Sequence, residues 1–227
     1  EIEMDTGEYS QYEDKWLFID FSFARNVGGD ASNDQLRMCW RNETQTEFTC
    51  INTTESNTFD SGSVEVFQLG NWNSGGSQSC GQHSVLDDCL YDEIVFYDRR
   101  LTEVQREEVY NNGNGMRYDE TSFYNESLTR YYNDMDGLKD QSDNGNDLTA
   151  INQPQQDPEG VPGIIDQWNL TATSFDGVDD YVSSPNTGDR YNMSDNAFTI
   201  SSWVKLSDWS TSEPMSLISH KEGAGYA

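Results

Sequence analysis

The chain has 227 residues, enough for one large β-type domain or two small ones, and an aromatic content of 12% argues against disorder despite a mean hydropathy of −0.82. Forty-one Asp and Glu against 13 Lys and Arg leave a formal charge of −28, a surface that repels nucleic acid and anionic membranes and argues against both as partners. Only four of the basic residues are Lys. That balance fits adaptation to high salt, where the screening length shrinks to about 3 Å at molar ionic strength, and it also fits a calcium-rich exterior or an ordinary acidic secreted protein.

Taken in chain order, strands dominate. "KWLFIDFSFA" alternates Leu17, Ile19, Phe21 and Phe23 with Trp16, Phe18, Asp20 and Ser22, a period of two with both faces partly apolar, so the strand is expected centrally in a sandwich. "LRMCWRNETQTEFTC" reads as a hairpin whose arms set Cys39 opposite Cys50. "VEVFQLG", "YDEIVFYD", "TSFDGVDDYVSS" and "FTISSWVKL" repeat the strand pattern, separated by turn-forming clusters such as "NVGGDASND" and "NWNSGGSQSCG". The one convincing helix is "LTEVQREEVYNNG": Thr102 and Gln105 make a capping box, Val104 and Val109 an apolar stripe, and Gly113 a left-handed stop. Residues 114–127 are polar and turn-rich and read as a linker, after which "LTRYYNDMDGLKDQSDNGNDLTAINQ" reads as a strand followed by an Asp/Asn/Gly loop. Many short strands with one helix indicate an all-β sandwich.

No apolar run approaches the ~20 residues that span a bilayer, and residues 1–20 lack the basic start and apolar core of a signal peptide, so no direct membrane insertion is expected. The four cysteines form two close pairs, Cys39/Cys50 and Cys80/Cys89, without the CxxC spacing of zinc or redox sites. Two local disulfides and an extracellular setting fit this best, with free core thiols as the alternative. Sequons stand at Asn42, Asn52, Asn125, Asn169 and Asn192; with 19 Asn and 40 Ser and Thr, chance supplies about three, so they support a glycosylated surface protein only weakly.

Residues 87–113, "DDCLYDEIVFYDRRLTEVQREEVYNNG", read like the close of a domain, yet 114 residues follow. The stretch resembles the closing strand and short helix of the laminin G-like (LamG, pentraxin-related) branch of the concanavalin A-like lectins and glucanases. "YYNDMDG", "DQSDNGND", "SFDGVDDYV" and "FTISSWVKL" are similar to the opening strands and loop of that family, with Met135, an extra residue before Asp136, and Asp143 as small departures. The resemblance implies a concanavalin A-like antiparallel β-sandwich, or jelly roll, with its halves in reversed order: residues 1–113 the second half, 114–127 a linker, and 128–227 the first half. One permuted sandwich, half-domains exchanged between chains, and an excerpt from a tandem array are all compatible with that order.

The resemblance also implies a structural cation between the opening loop and the closing strand. The oxygen-rich loop "NDMDGLKDQSDNGND" offers the carboxylates, amides and carbonyls that calcium takes. Asp92 and Asp136 are the first expected ligands, with Asp140, Asn144 and Asn146 as additions; the plain alternative is that these residues only make turns. Loop tryptophans Trp72 and Trp209 are candidates for stacking on a sugar, whereas Trp16, Trp40 and Trp203 are expected in the core. Glucanase relatives carry two catalytic glutamates on an E-x-D-x-E strand; here Glu1, Glu3 and Asp5 give E-x-E-x-D, so no catalytic residue is expected. His83 and His220, the only histidines, have no ligand-spaced partners. The reading is an extracellular, cell-surface or virion-surface module that recognises a glycan or surface glycoprotein. The alternatives are a structural subunit that self-associates through exchanged half-domains and, further off, a glycoside hydrolase.

Overall fold

The computed structural model describes residues 11–24, 34–55, 65–70, 78–79, 89–124, 128–132, 139–142, 144–157, 160–161, 172–176, 180–183, 197–207, 215–216 and 218–222. The chain before the helix supplies β1 (Trp16–Ala24), β2 (Asp34–Asn42), β3 (Thr49–Glu55), β4 (Glu65–Gly70), β5 (Gln78–Ser79) and β6 (Cys89–Tyr97). After α1 (Glu103–Tyr110) come β7 (Leu128–Tyr132), β8 (Thr149–Ile151), β9 (Gln155–Asp157), β10 (Ala172–Phe175), β11 (Tyr181–Ser183), β12 (Ala197–Leu206), β13 (Met215–Ser216) and β14 (Ile218–Glu222). Over the described residues the protein is all-β with one short α-helix.

The larger sheet runs β3-β2-β1-β12-β6-β10-β9, with β7 also pairing β6, and the path does not close on itself. The second sheet runs β14-β4-β11-β8, and β5 and β13 form a two-residue parallel ladder apart from both. Strands from before and after residues 114–127 alternate in both main sheets: β12 lies between β1 and β6, and β4 lies between β14 and β11. Both main sheets therefore take strands from both segments of the chain.

β1 is central, as its two apolar faces require. Leu17, Ile19 and Phe23 enter one core with Tyr91, Phe96, Ile200 and Val204 of the same sheet and Val182 of the second sheet, so this core lies between the sheets. Trp16 and Phe18 enter a second core on the outer face, beneath α1 and the chain that follows it, with Tyr97, Val109, Tyr110 and Trp203. Tyr110 stacks on Trp203 with ring centroids 5.6 Å apart, and Phe18 meets Trp203 edge-on at 5.4 Å. Each such pair contributes about 0.5–1.5 kcal/mol beyond the area it buries. Trp16, Trp40 and Trp203 are all core residues.

The helix begins as its sequence indicates: Thr102 accepts from the Gln105 amide at 3.3 Å, and the Gln105 side chain accepts from the Thr102 amide at 3.0 Å. Its buried face differs from the expected stripe. Arg106, Val109 and Tyr110 are buried, whereas Val104 is 77% exposed, because the face turned to the sheet is set by the Arg106 contact with β1. The left-handed stop also comes earlier, with Asn111 and Asn112 at φ 47° and 55° preceding Gly113 at 85°. Of the stretch read as a linker, residues 114–124 are described, and Tyr118 and Phe123 are buried in the outer core, so this segment is a packed cover rather than a free polar connection. "TSFDGVDDYVSS" is likewise not one strand: β10 belongs to the larger sheet and β11 to the smaller.

Candidate functional site

The most unusual chemistry lies where β6 breaks its alternation. Between Ser201 and Trp203 of β12 the register slips, and Glu93 adopts a left-handed φ of 48°. This is a β-bulge, which inserts one residue and turns the next side chain back. Tyr91 and Ile94 consequently both enter the core between the sheets, while Asp92 and Glu93 are left together and buried on the side of Tyr131 and Val161. Asp92 accepts from the Glu93 amide at 2.9 Å and the Val161 amide at 3.2 Å; Ser202 donates to its backbone carbonyl at 3.3 Å. The Tyr131 hydroxyl donates to Glu93 Oε1 at 3.1 Å, and Glu93 Oε2 is buried with no hydrogen-bond partner. Burial, reinforced by the Asp92 carboxylate beside it, holds the Glu93 carboxyl well above the usual carboxylate range; burial with Glu93 as neighbour raises the Tyr131 phenol in turn. A buried carboxylate pair must share a proton or take up a cation.

The loop after β7 is organised around Asp140. Its Oδ1 accepts from the amides of Tyr131 and Ser142 at 3.1 and 3.0 Å, and its Oδ2 from the Asn146 amide at 2.8 Å. Asp147 accepts from the Asp140 amide at 3.1 Å and pairs with Lys139 at 2.6 Å, and Tyr132 donates to the Asn146 carbonyl at 2.6 Å. Asp140 thus organises its own loop through three backbone amides. Tyr131 links loop and bulge, its amide donating to Asp140 and its hydroxyl to Glu93. Among the described residues no group of three or more His, Cys, Asp or Glu is arranged to hold a metal ion. Asp136 lies outside the described residues. Asn144 is exposed, its amide donating to Ser142 Oγ at 3.3 Å.

Cys39 and Cys50 are bonded at directly opposed positions of β2 and β3, with Cα atoms 4.1 Å apart. Cys89 is also disulfide-bonded, while Cys80 is outside the described residues. Of the sequons, Asn52 is exposed, whereas Asn125, Asn169 and Asn192 lie outside the described residues. Asn42 is buried, with its Nδ2 closed to solvent and its Oδ1 accepting from the Thr44 amide and hydroxyl at 3.0 and 2.8 Å. Trp72, Trp209, His83, Glu1, Glu3 and Asp5 are outside the described residues; His220 is in β14.

Sequence reasoning passed over three arginines. Arg106 is buried against Asp20 of β1, and Arg37 and Arg100 flank that pair. The available signal was that nine of the 13 basic residues are Arg, the cation that tolerates burial and forked pairing.

No protein-family model, no curated protein and no solved structure matches the chain.

Proposed function

We propose that this chain is a non-catalytic binding or adhesion module of LamG-like, concanavalin A-like build that recognises a glycan or surface glycoprotein outside the cell. The observation that supports this is adjacency: the stretches that carry the resemblance, "DEIVFYD", "SFDG" and "FTISSWVKL", fall on β6, start on β10, and fall on β12, with β6 paired to both neighbours. Motifs at opposite ends of that family's domain would meet in this way if its halves were reversed and both completed one sandwich. The alternation of strands from the two segments in both sheets favours permutation within one chain over exchange between chains. The Cys39–Cys50 bond favours an oxidising compartment. Calcium belongs to the same reading, with Asp92 beside the buried Glu93 as its anchor and Asp136 as the first further ligand.

The test is binding of the purified chain to an arrayed set of glycans, with calcium and with chelator. Saturable, calcium-supported retention of a defined glycan class is the expected result. Retention of none, together with concentration-dependent assembly of the chain, would replace the binding module with a structural subunit.

A further inference from the structure

Three neighbouring strands place Ser22 of β1, Arg37 of β2 and Asn52 of β3 in one cross-strand row, continued by Thr199 of β12. Cross-strand partners share a face, and this is the face that carries α1, since Asp20 two residues along β1 pairs with Arg106 of the helix. Arg100, in the connection leading into α1, reaches over the same row: its Nη1 donates to Gln35 Oε1 at 2.6 Å and its Nη2 to Asn52 Oδ1 at 3.4 Å. Arg37 donates from Nε to Cys39 Sγ at 3.0 Å and from Nη2 to Cys50 Sγ at 3.2 Å. Disulfide sulfurs are weak acceptors.

Neither Arg37 nor Arg100 forms an ion pair with any described residue, although the chain carries 41 acids against 13 bases. The buried carboxylate that faces both, Asp20, is hydrogen-bonded to Arg106. A guanidinium has five N–H donors, and each of these two spends two, on sulfur or on amide oxygen. The Arg100 Nε is buried without a hydrogen-bond partner, and so is the Ser22 hydroxyl beside Arg37 in the row. Both arginines are half-buried; burial and the nearby Arg106 weaken their hold on their protons, Arg37 adds to this at Arg100, and Asp20 acts the other way on both, joined by Glu103 at Arg37. Asp20 offsets part of this repulsion from a distance, yet no carboxylate among the described residues bonds either guanidinium, and the donors each keeps in reserve can take one from a ligand.

We propose that Arg37 and Arg100 form a site for one oxyanion, the carboxylate of an acidic sugar. A carboxylate presents two oxygens to a guanidinium fork. The net charge selects for a single negative group: every charge on a ligand meets the field of −28, so a polyanion is opposed many times over and a monoanion once. High salt removes the long-range repulsion and leaves the short forked contact. This inference rests on the glycan-binding reading and names the class of sugar.

The experiment measures binding of D-glucuronate and its neutral methyl ester to the full chain, by chemical-shift titration in low and molar salt. The acid is expected to bind about tenfold more tightly than the ester. That preference is expected to vanish in Arg37→Gln and Arg100→Gln, while their melting temperatures hold or rise because repulsion is relieved. Arg100→Lys, which keeps the charge and loses the fork, is expected to fall between. Equal affinity for acid and ester, or a preference that survives both Gln variants, overturns the site. Acetate binding as tightly as glucuronate overturns the sugar assignment and leaves a bare anion site. Retention of neutral glycans by the Gln variants, with no preference for the acid, sinks this inference and leaves the binding module standing; retention of no glycan at all sinks both.

Discussion

Arg106 of α1 and Asp20 of β1 form an ion pair closed to solvent, with side chains 1% and 0% exposed, and Arg106 Nη2 lies 3.2 Å from Asp20 Oδ1. It fastens the helix to the strand at the centre of the larger sheet. Removing one partner of a buried pair leaves an uncompensated charge, at about 3–5 kcal/mol. The two partners are not equivalent here, because Asp20 also faces Arg37 and Arg100. Asp20→Asn, which strips three guanidiniums of their shared counter-charge, is expected to lower the urea midpoint more than Arg106→Met does. The reverse order would show that Arg37 and Arg100 do not feel Asp20.

The Cys39–Cys50 bond closes a loop with a sequence separation of 11 at the edge of the larger sheet. Loss of the constraint on the unfolded chain is expected to cost about 2–3 kcal/mol. Cys39→Ala/Cys50→Ala should show this in denaturant melts, and it should also free Arg37 from its two sulfur contacts.

Helix α1 offers three contrasts on one element. Thr102→Ala removes the capping oxygen and is expected to cost about 1 kcal/mol, whereas Val104→Glu, at an exposed position, is expected to change nothing measurable. Gly113→Ala combines a φ of 85° with a Cβ placed 3.2 Å from the Tyr110 hydroxyl, itself bonded to the Asn42 carbonyl. It is expected to cost about 1–2 kcal/mol. Thermal melts of the three variants read all of this directly.

Glu93 gives the protein a pH dependence. Its folded-state proton affinity is raised, first by burial and then by Asp92. Above its unfolded value of about 4.3 the folded state therefore holds a proton that the unfolded chain has released, and stability falls as pH rises through that window. In chelator, the urea midpoint is expected to decline from about pH 4 upward, by no more than about 1.4 kcal/mol per unit from this group. Glu93→Gln should flatten the decline and stabilise the neutral protein. A wild-type midpoint that climbs across the same range would mean that Glu93 is ionised in the fold.

Much of the fold is legible because period-two alternation and capping chemistry are local. β1, β2, β3, β6 and β12 follow from apolar spacing, the opposed Cys39 and Cys50 from hairpin symmetry, and the start of α1 from Thr102 and Gln105. What stayed hidden depends on tertiary partners. The bulge at Glu93 leaves no trace in "YDEIVFYD", because every residue of β6 is buried and the pattern has no polar face to break. Val104 lies outside the buried face of α1 because Asp20, 86 residues away, takes Arg106 and turns that side of the helix to the sheet. Tyr118 and Phe123 looked like linker residues amid polar neighbours, and only the aromatic face of β6 and β7 gives them somewhere to pack. The candidate site was legible in the same proportion: Asp92 and Asp140 stand out as carboxylates, but Glu93 joins Asp92 only through the bulge, and Arg37 and Arg100 come to one row only because Asn52, the cross-strand partner of Arg37, accepts from Arg100.

The central claim is that the segments before and after residues 114–127 complete one sandwich within one chain, and the mass of the folded protein tests it most directly. Light scattering in molar salt, across a wide concentration range, is expected to give a compact particle of 25.8 kDa that does not change with concentration. A mass that grows with concentration, with native strand content retained, would contradict it and show that β12 inserts between β1 and β6 of a neighbouring chain.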